Sequence, residues 1–251
     1  MVAPRVEHRQ HAHRVRLEWG LEGVELLAAE CAVVVVVDVL SFCTSVDIAV
    51  GRGADVLPQR YDDPAAAARE AADRAAVPAG NRAGTGPSLR PSSLVGLAGG
   101  TRLALPSPNG ATLCAAAGRT GTTLFAGCLR NASAVAAAAL RQADGGPIGL
   151  VPAGERWPGG TLRVAAEDAL GAGAIAATMP AGDRSPEAEL AVVQFSAARD
   201  RGLSGVLAAV SSGDELIAEG FGADVELAAA LDTSVAAPRL HDGLLTAHTP
   251  R

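Results

Sequence analysis

The hydrophobic pattern is dominated by one run, Ala32-Val33-Val34-Val35-Val36-Val37, which stops at Asp38. Successive side chains of a strand point to opposite faces, so five valines in a row need cover on both sides. A central strand of an α/β sheet reads this way. Shorter apolar runs follow the same theme at Val15 and Leu17 and over residues 54–57, 102–105, 122–126 and 148–152. Helical stretches alternate with them over 21–29, 41–52, 64–76 and 132–141, and one more opens at Ala111. Asp62-Asp63 caps the third of these, with Pro64 in its first turn. Residues 165–170, 187–198 and 224–231 read as helices, as does a segment opening at Asp214, and 237–240 as a last strand. Strands alternating with helices predict a layered α/β fold.

Two stretches interrupt the alternation. Residues 77–91 hold three prolines and three glycines beside Arg82 and Arg90, so they predict a long loop. Long loops in compact domains are commonly functional, and this one is expected to fold over the site and offer an arginine. Residues 154–162 read as a polar loop carrying Glu155, Arg156 and Trp157.

Composition narrows the class. The chain is 49% hydrophobic but 3% aromatic, so Ala, Val and Leu must build the core. Its 251 residues suffice for one large domain or two small lobes. A net charge of −6 without a basic run excludes binding to nucleic acid by phosphate neutralisation. No apolar run reaches the roughly 18–20 residues of a membrane span. The first 16 residues are polar and lack the apolar core of a signal peptide, so a cytoplasmic location is expected. Cys31, Cys43, Cys114 and Cys128 show no C-x-x-C spacing and read as buried free thiols. His8, His11 and His13 lie in a stretch expected to be flexible, residues 1–13, and the next histidine is His241. A histidine metal site is therefore not expected.

The candidate chemistry collects at strand ends, where ligands sit in open α/β sheets. Asp38 with Thr44, Ser107 with Asn109, Arg130 with Asn131 and Ser133, and Glu155 with Arg156 each follow a predicted strand. Helix amino termini beside them attract anions. If these strands are neighbours, one crevice holds carboxylates, amides and arginines, with no His or Cys nucleophile. That set suits a phosphate ester beside a divalent cation, because Mg²⁺ takes oxygen ligands. The alternative is that Asp38 and Ser133 only cap helices. A G-x-x-x-x-G-K-[ST] loop is absent, which argues against an NTPase.

The chain resembles the 2-phosphosulfolactate phosphatase (ComB-like) family. The resemblance rests on Val34-Val35-Val36-Val37-Asp38-Val39-Leu40, Pro108-Asn109-Gly110-Ala111 and the segment from Gly127 to Ala136 around Asn131-Ala132-Ser133-Ala134. Ala153-Gly154 and Glu167-Asp168, followed by Ala172-Gly173, complete it. It implies a single three-layer α/β/α domain over residues 1–251 that hydrolyses a small acidic phosphomonoester with Mg²⁺. The namesake reaction converts 2-phosphosulfolactate to sulfolactate and phosphate, on the route to coenzyme M. On this reading Asp38, Asp168 and Glu167 are the catalytic candidates, with Asp38 and Asp168 on the metal. Thr44, Asn109, Arg130, Asn131 and Arg156 are the substrate-binding candidates. The expected partner is the phosphomonoester, not nucleic acid or membrane, with self-association left open. Two departures stand out: Ser41-Phe42-Cys43-Thr44 replaces the family's Arg-Ala-Thr-Thr, and Gly80-Asn81-Arg82 its Gly-Glu-Arg. They motivate the alternative of a catalytically silent member that binds an anionic metabolite.

Overall fold

In the computed structural model, which describes residues 5–60 and 63–248, all five valines of the run are fully buried. In chain order the strands are β1 (Val15–Leu17), β2 (Val33–Val37), β3 (Asp55–Gln59), β4 (Val77–Pro78), β5 (Arg102–Pro106) and β6 (Thr123–Gly127). They continue with β7 (Ile148–Pro152), β8 (Glu155–Arg156), β9 (Leu162–Arg163), β10 (Pro238–His241) and β11 (Leu244–Ala247). The helices are α1 (Gly20–Ala28), α2 (Phe42–Gly51), α3 (Pro64–Asp73), α4 (Gly110–Gly118) and α5 (Ala132–Ala143). After them come α6 (Ala166–Ala177), α7 (Pro186–Arg201), α8 (Leu203–Ala209), α9 (Ser211–Ala218) and α10 (Gly222–Ala229).

Nine strands form one sheet in the order β1-β7-β2-β6-β10-β11-β3-β5-β4, while β8 and β9 pair separately. β2 is parallel to β7 on one side and to β6 on the other, so both of its edges are satisfied. Val33, Val35 and Val37 pack into a layer with α5, α6 and α7, through residues such as Val135, Ile175 and Phe195. Val34 and Val36 pack into the opposite layer, with Leu27, Phe42 and Leu113 of α1, α2 and α4. The valine run is thus the middle of a three-layer α/β/α sandwich. Burying each valine stabilises the fold by about 2 kcal/mol, so the run contributes on the order of 10 kcal/mol before entropy is counted. A hairpin of β10 and β11 joins two parallel blocks: β10 is antiparallel to β6, and β11 to β3.

Several local expectations change. Residues 154–162 belong to the β8–β9 hairpin instead of an open loop, because Glu155 pairs with Arg163 and Arg156 with Leu162. The 77–91 loop begins with β4, at the edge of the sheet beside β5. α8 and β11 are additional to the elements the sequence pattern predicts, and α6 extends to Ala177. Residues 5–13 are tied down: Gln10 is buried, donates to the carbonyl of Leu17 and accepts from its amide. Asp63 caps α3 by accepting from the amide of Ala66, whereas Asp62 lies outside the described residues. All four cysteines are buried free thiols. Among the described residues, no helix is long and apolar enough to cross a membrane.

Candidate active site

Asp38 leaves β2 where the sheet ends, and its side chain is held by two helix starts. Oδ1 accepts from the amide of Phe42 at 3.0 Å, and Oδ2 from the amide of Gly110 at 2.9 Å. Phe42 and Gly110 are the first residues of α2 and α4, so two positive dipole ends converge on one carboxylate. The contact requires glycine at 110: a Cβ there would lie 2.5 Å from the Phe42 ring and 2.7 Å from Asp38 Oδ2. Burial nevertheless pushes the Asp38 carboxyl up to about 6, and the Glu167 charge adds to this while Arg82 opposes it.

Asp168, in the first turn of α6, accepts from the amide of Val39 at 2.7 Å and from that of Gly154 at 2.9 Å. It therefore staples the chain leaving β2 to the chain leaving β7. Burial raises its carboxyl well above the ordinary range, with the Asp38 and Glu167 charges adding. Adjacent residues on a helix diverge by about 100°, so Glu167 takes a different direction. It is 2% exposed, and its Oε1 is buried with no hydrogen-bond partner.

Glu155, at the start of β8, completes the cluster. Its Oε2 accepts from Asn109 Nδ2 at 3.0 Å. Burial, then the Asp38 charge, lifts its carboxyl to about 7, against that Asn109 bond. Arg82 reaches in from the 77–91 loop, with Nη2 3.4 Å from Ser41 Oγ and Nη1 buried without a partner. The loop's other arginine, Arg90, stacks 5.4 Å from the Phe221 ring instead.

Three of the four expected strand ends therefore meet in one buried acidic cluster, those after β2, β5 and β7. The fourth, after β6, supplies structural contacts. Arg130 is bound to Asp47 at 2.9 Å and to the carbonyl of Leu227, within the protein. Asn131 is fully buried and accepts from the amide of Cys128, which closes the turn before α5. Thr44 is also fully buried and donates to the carbonyl of Val39. Arg156 is exposed and donates to the carbonyl of Gly160 inside its own hairpin. Ser133, inside α5, donates its amide and its hydroxyl to Asp232, so it neither joins the cluster nor caps the helix. Of the five substrate-binding candidates only Asn109 stands in the cluster, and it is turned towards Glu155. Glu155 is the side chain that sequence reasoning underrated, whereas Arg82 is one of the two loop arginines it expected. Its place in a polar stretch straight after a buried strand was the signal for Glu155.

The donor set in the cluster consists of oxygens, which suits a hard cation. Four carboxylates crowd together there, and one buried oxygen, Glu167 Oε1, lacks a partner. A divalent cation would satisfy that oxygen and relieve the mutual repulsion. Among the described residues, no group of three or more His, Cys, Asp or Glu is placed to hold a metal ion by itself. Mg²⁺ matches such a site, because it commonly takes one or two carboxylates and completes its shell with water and phosphate oxygens.

A family model described as 2-phosphosulpholactate phosphatase matches residues 23–243, nearly the whole chain. A comparison with curated proteins finds no match.

Proposed function

The chain belongs to the 2-phosphosulpholactate phosphatase family, a family of phosphoric monoester hydrolases, and from that premise we propose that it hydrolyses 2-phosphosulfolactate to sulfolactate and phosphate with Mg²⁺. The observation that carries the reading is the acidic cluster itself. Asp38, held by two helix starts, shares it with Glu167, Glu155 and Arg82. Asp38 and Glu167 would hold the cation, Glu167 through the oxygen that otherwise lacks a partner. Mg²⁺, when bound, polarises the phosphoryl oxygens and neutralises charge that develops on them. Asp168 would act by position: its two backbone bonds fix the Val39 and Gly154 segments on either side of the cluster.

Arg82 would bind the carboxylate or sulfonate of the substrate, since a guanidinium can grip either through two bonds. Glu155 is suited to proton transfer. A carboxyl near 7 is ionised in part of the molecules and protonated in the rest at neutral pH, the condition for general acid–base work. It would take a proton from the attacking water or return one to the departing alkoxide. Asn109 would hold Glu155 in that orientation.

The silent-binder alternative rested on two departures from the family's pattern. Arg82 and Glu155 supply an arginine and an acid to the cluster, which supports turnover. The test is phosphate release from 2-phosphosulfolactate with Mg²⁺, after EDTA, and after Mg²⁺ is restored. Turnover that chelation abolishes and Mg²⁺ restores is expected. Undiminished release after exhaustive chelation would remove the metal from the reading. Tight binding of the ester with no phosphate released would leave a silent binder.

A further inference from the structure

α7 carries a seam that nothing in the monomer uses. Glu187, Leu190, Gln194, Ala197 and Arg201 follow one another at spacings of three, four, three and four residues. That is the spacing by which two helices pack along their length. All five are exposed, with Leu190 at 64%, and all five line one groove of about 640 Å³. The inner flank of α7 is occupied, because Ala191, at the floor of the groove, and Phe195 lie against Gly173 of α6. Beside the seam, Val193 is 57% exposed, and Val164, on the far wall of the groove, is 60% exposed.

The charges on the seam are arranged end to end. Glu187 stands in the first turn of α7 and Arg201 in the last. The helix dipole favours those signs, but it does not supply partners. Neither side chain makes an ion pair or hydrogen bond with another described residue, whereas Glu189 is paired with Arg184 and Arg199 with Asp200. Glu187 also faces Glu18 across the groove, and its charge adds to burial in raising the Glu18 carboxyl.

We propose that the α7 groove is a self-association surface, in which α7 of a second copy of this chain packs antiparallel on the first. Glu187 and Arg201 lie seven residues on either side of Gln194, Leu190 and Ala198 four, and Ala191 and Ala197 three. An antiparallel partner sets Glu187 against the partner's Arg201, Leu190 against the partner's Ala198, Ala191 against the partner's Ala197, and the two Gln194 side chains on the two-fold axis. The arrangement is isologous, so both charge pairs form at once. Each places an arginine beside the Glu18–Glu187 pair that lacks one. A helix of this length runs about 24 Å, and Ala197 and its small neighbours allow the axes to approach to about 8 Å. A polar residue at the centre of such a seam sets the register.

The mass in solution, measured by sedimentation and light scattering, tests this. Wild type at roughly 50 µM should weigh twice the 25.1 kDa chain. Glu187→Arg and Arg201→Glu should each weaken the dimer by at least about tenfold, because each puts like charges face to face at both ends. The double variant should restore it. Gln194→Cys should give a disulfide-linked dimer on mild oxidation, since the four native thiols are buried. A monomer at that concentration overturns the proposal. So does a dimer indifferent to the single reversals, or one that Gln194→Cys fails to cross-link. None of these readouts depends on catalysis, so they stand or fall apart from the proposed reaction.

Discussion

Replacing Asp38 with asparagine should change stability with a sign that depends on pH. In the wild type both carboxyl oxygens accept a backbone N–H, from Phe42 and from Gly110. An asparagine offers one acceptor and turns an NH₂ towards the other amide. One buried N–H is left unpaired, at a cost of about 1–3 kcal/mol. Against this stands the cost of burying the charge. The carboxyl is raised from 3.8 to about 6, and at 1.36 kcal/mol per unit this is about 3 kcal/mol. A raised carboxyl holds its proton in the folded state, so its stabilising contribution is full below about pH 4 and is lost as pH rises through 6. Asparagine does not titrate. The variant should therefore be less stable than wild type near pH 4.5, by the cost of the unpaired amide. Near pH 8 it should be equal or slightly more stable.

Urea unfolding of both proteins at the two pH values, in metal-free buffer, measures the difference. The stability gap should move by about 2 kcal/mol between them, less than the full value of about 3 because the unfolded carboxyl is already largely ionised at pH 4.5. A gap that is the same at both would mean that Asp38 carries no buried charge, and the electrostatic account of the cluster would be wrong. Turnover gives the second readout: the variant should lose nearly all phosphatase activity at a pH where it is as stable as wild type. Comparable turnover would reduce Asp38 to a helix cap.

Glu155→Gln should lower kcat by about 10²–10⁴-fold with a smaller effect on KM, and kcat against pH should lose its inflection near 7; a KM effect alone would make Glu155 a binding residue. The acid limb of the wild-type rate should move to lower pH as Mg²⁺ is raised from limiting to saturating, because the cation competes with the proton on Asp38; a limb that ignores Mg²⁺ would separate the metal from that carboxylate. Gly173→Ala should lower the melting temperature by several degrees, since the new Cβ would fall 2.1 Å from the carbonyl oxygen of Ala191 and force α6 from α7. Overpacking of this kind costs about 2–3 kcal/mol, and a melt within about one degree of wild type would contradict it.

The layers of the fold were legible because the valine run leaves a strand no alternative to burial on both faces. Asp38 was legible for the same reason: it is the first polar residue after that run. What stayed hidden were pairings between distant residues. Nothing in the neighbourhood of Arg130 reveals that Asp47, 83 residues earlier, claims its guanidinium. Nothing around Asn131 separates a substrate amide from one that closes its own turn. Glu167 and Asp168 stand side by side in one motif, yet helix geometry sends Asp168 to backbone amides and leaves an oxygen of Glu167 without a partner. α8 and β11 are short and lack a long periodic run. Gly110 shows the reverse case. It was visible as part of a motif, but its reason, an approach to Asp38 too close for a Cβ, is purely spatial.

The β10–β11 hairpin has a consequence for the order in which this sheet can be built. Among the described residues these two strands come last in the sequence, yet they occupy the interior of the sheet, between β6 and β3. A polypeptide emerging from the ribosome therefore presents both inner edges before the segment that closes them exists. Unpaired edges of this kind template contacts with other chains, and such late, distant pairings slow folding. A chain cut short before Pro238 should leave two half-sheets facing each other across an unfilled seam, and should be captured by chaperones or aggregate sooner than one shortened by a comparable length at its amino terminus.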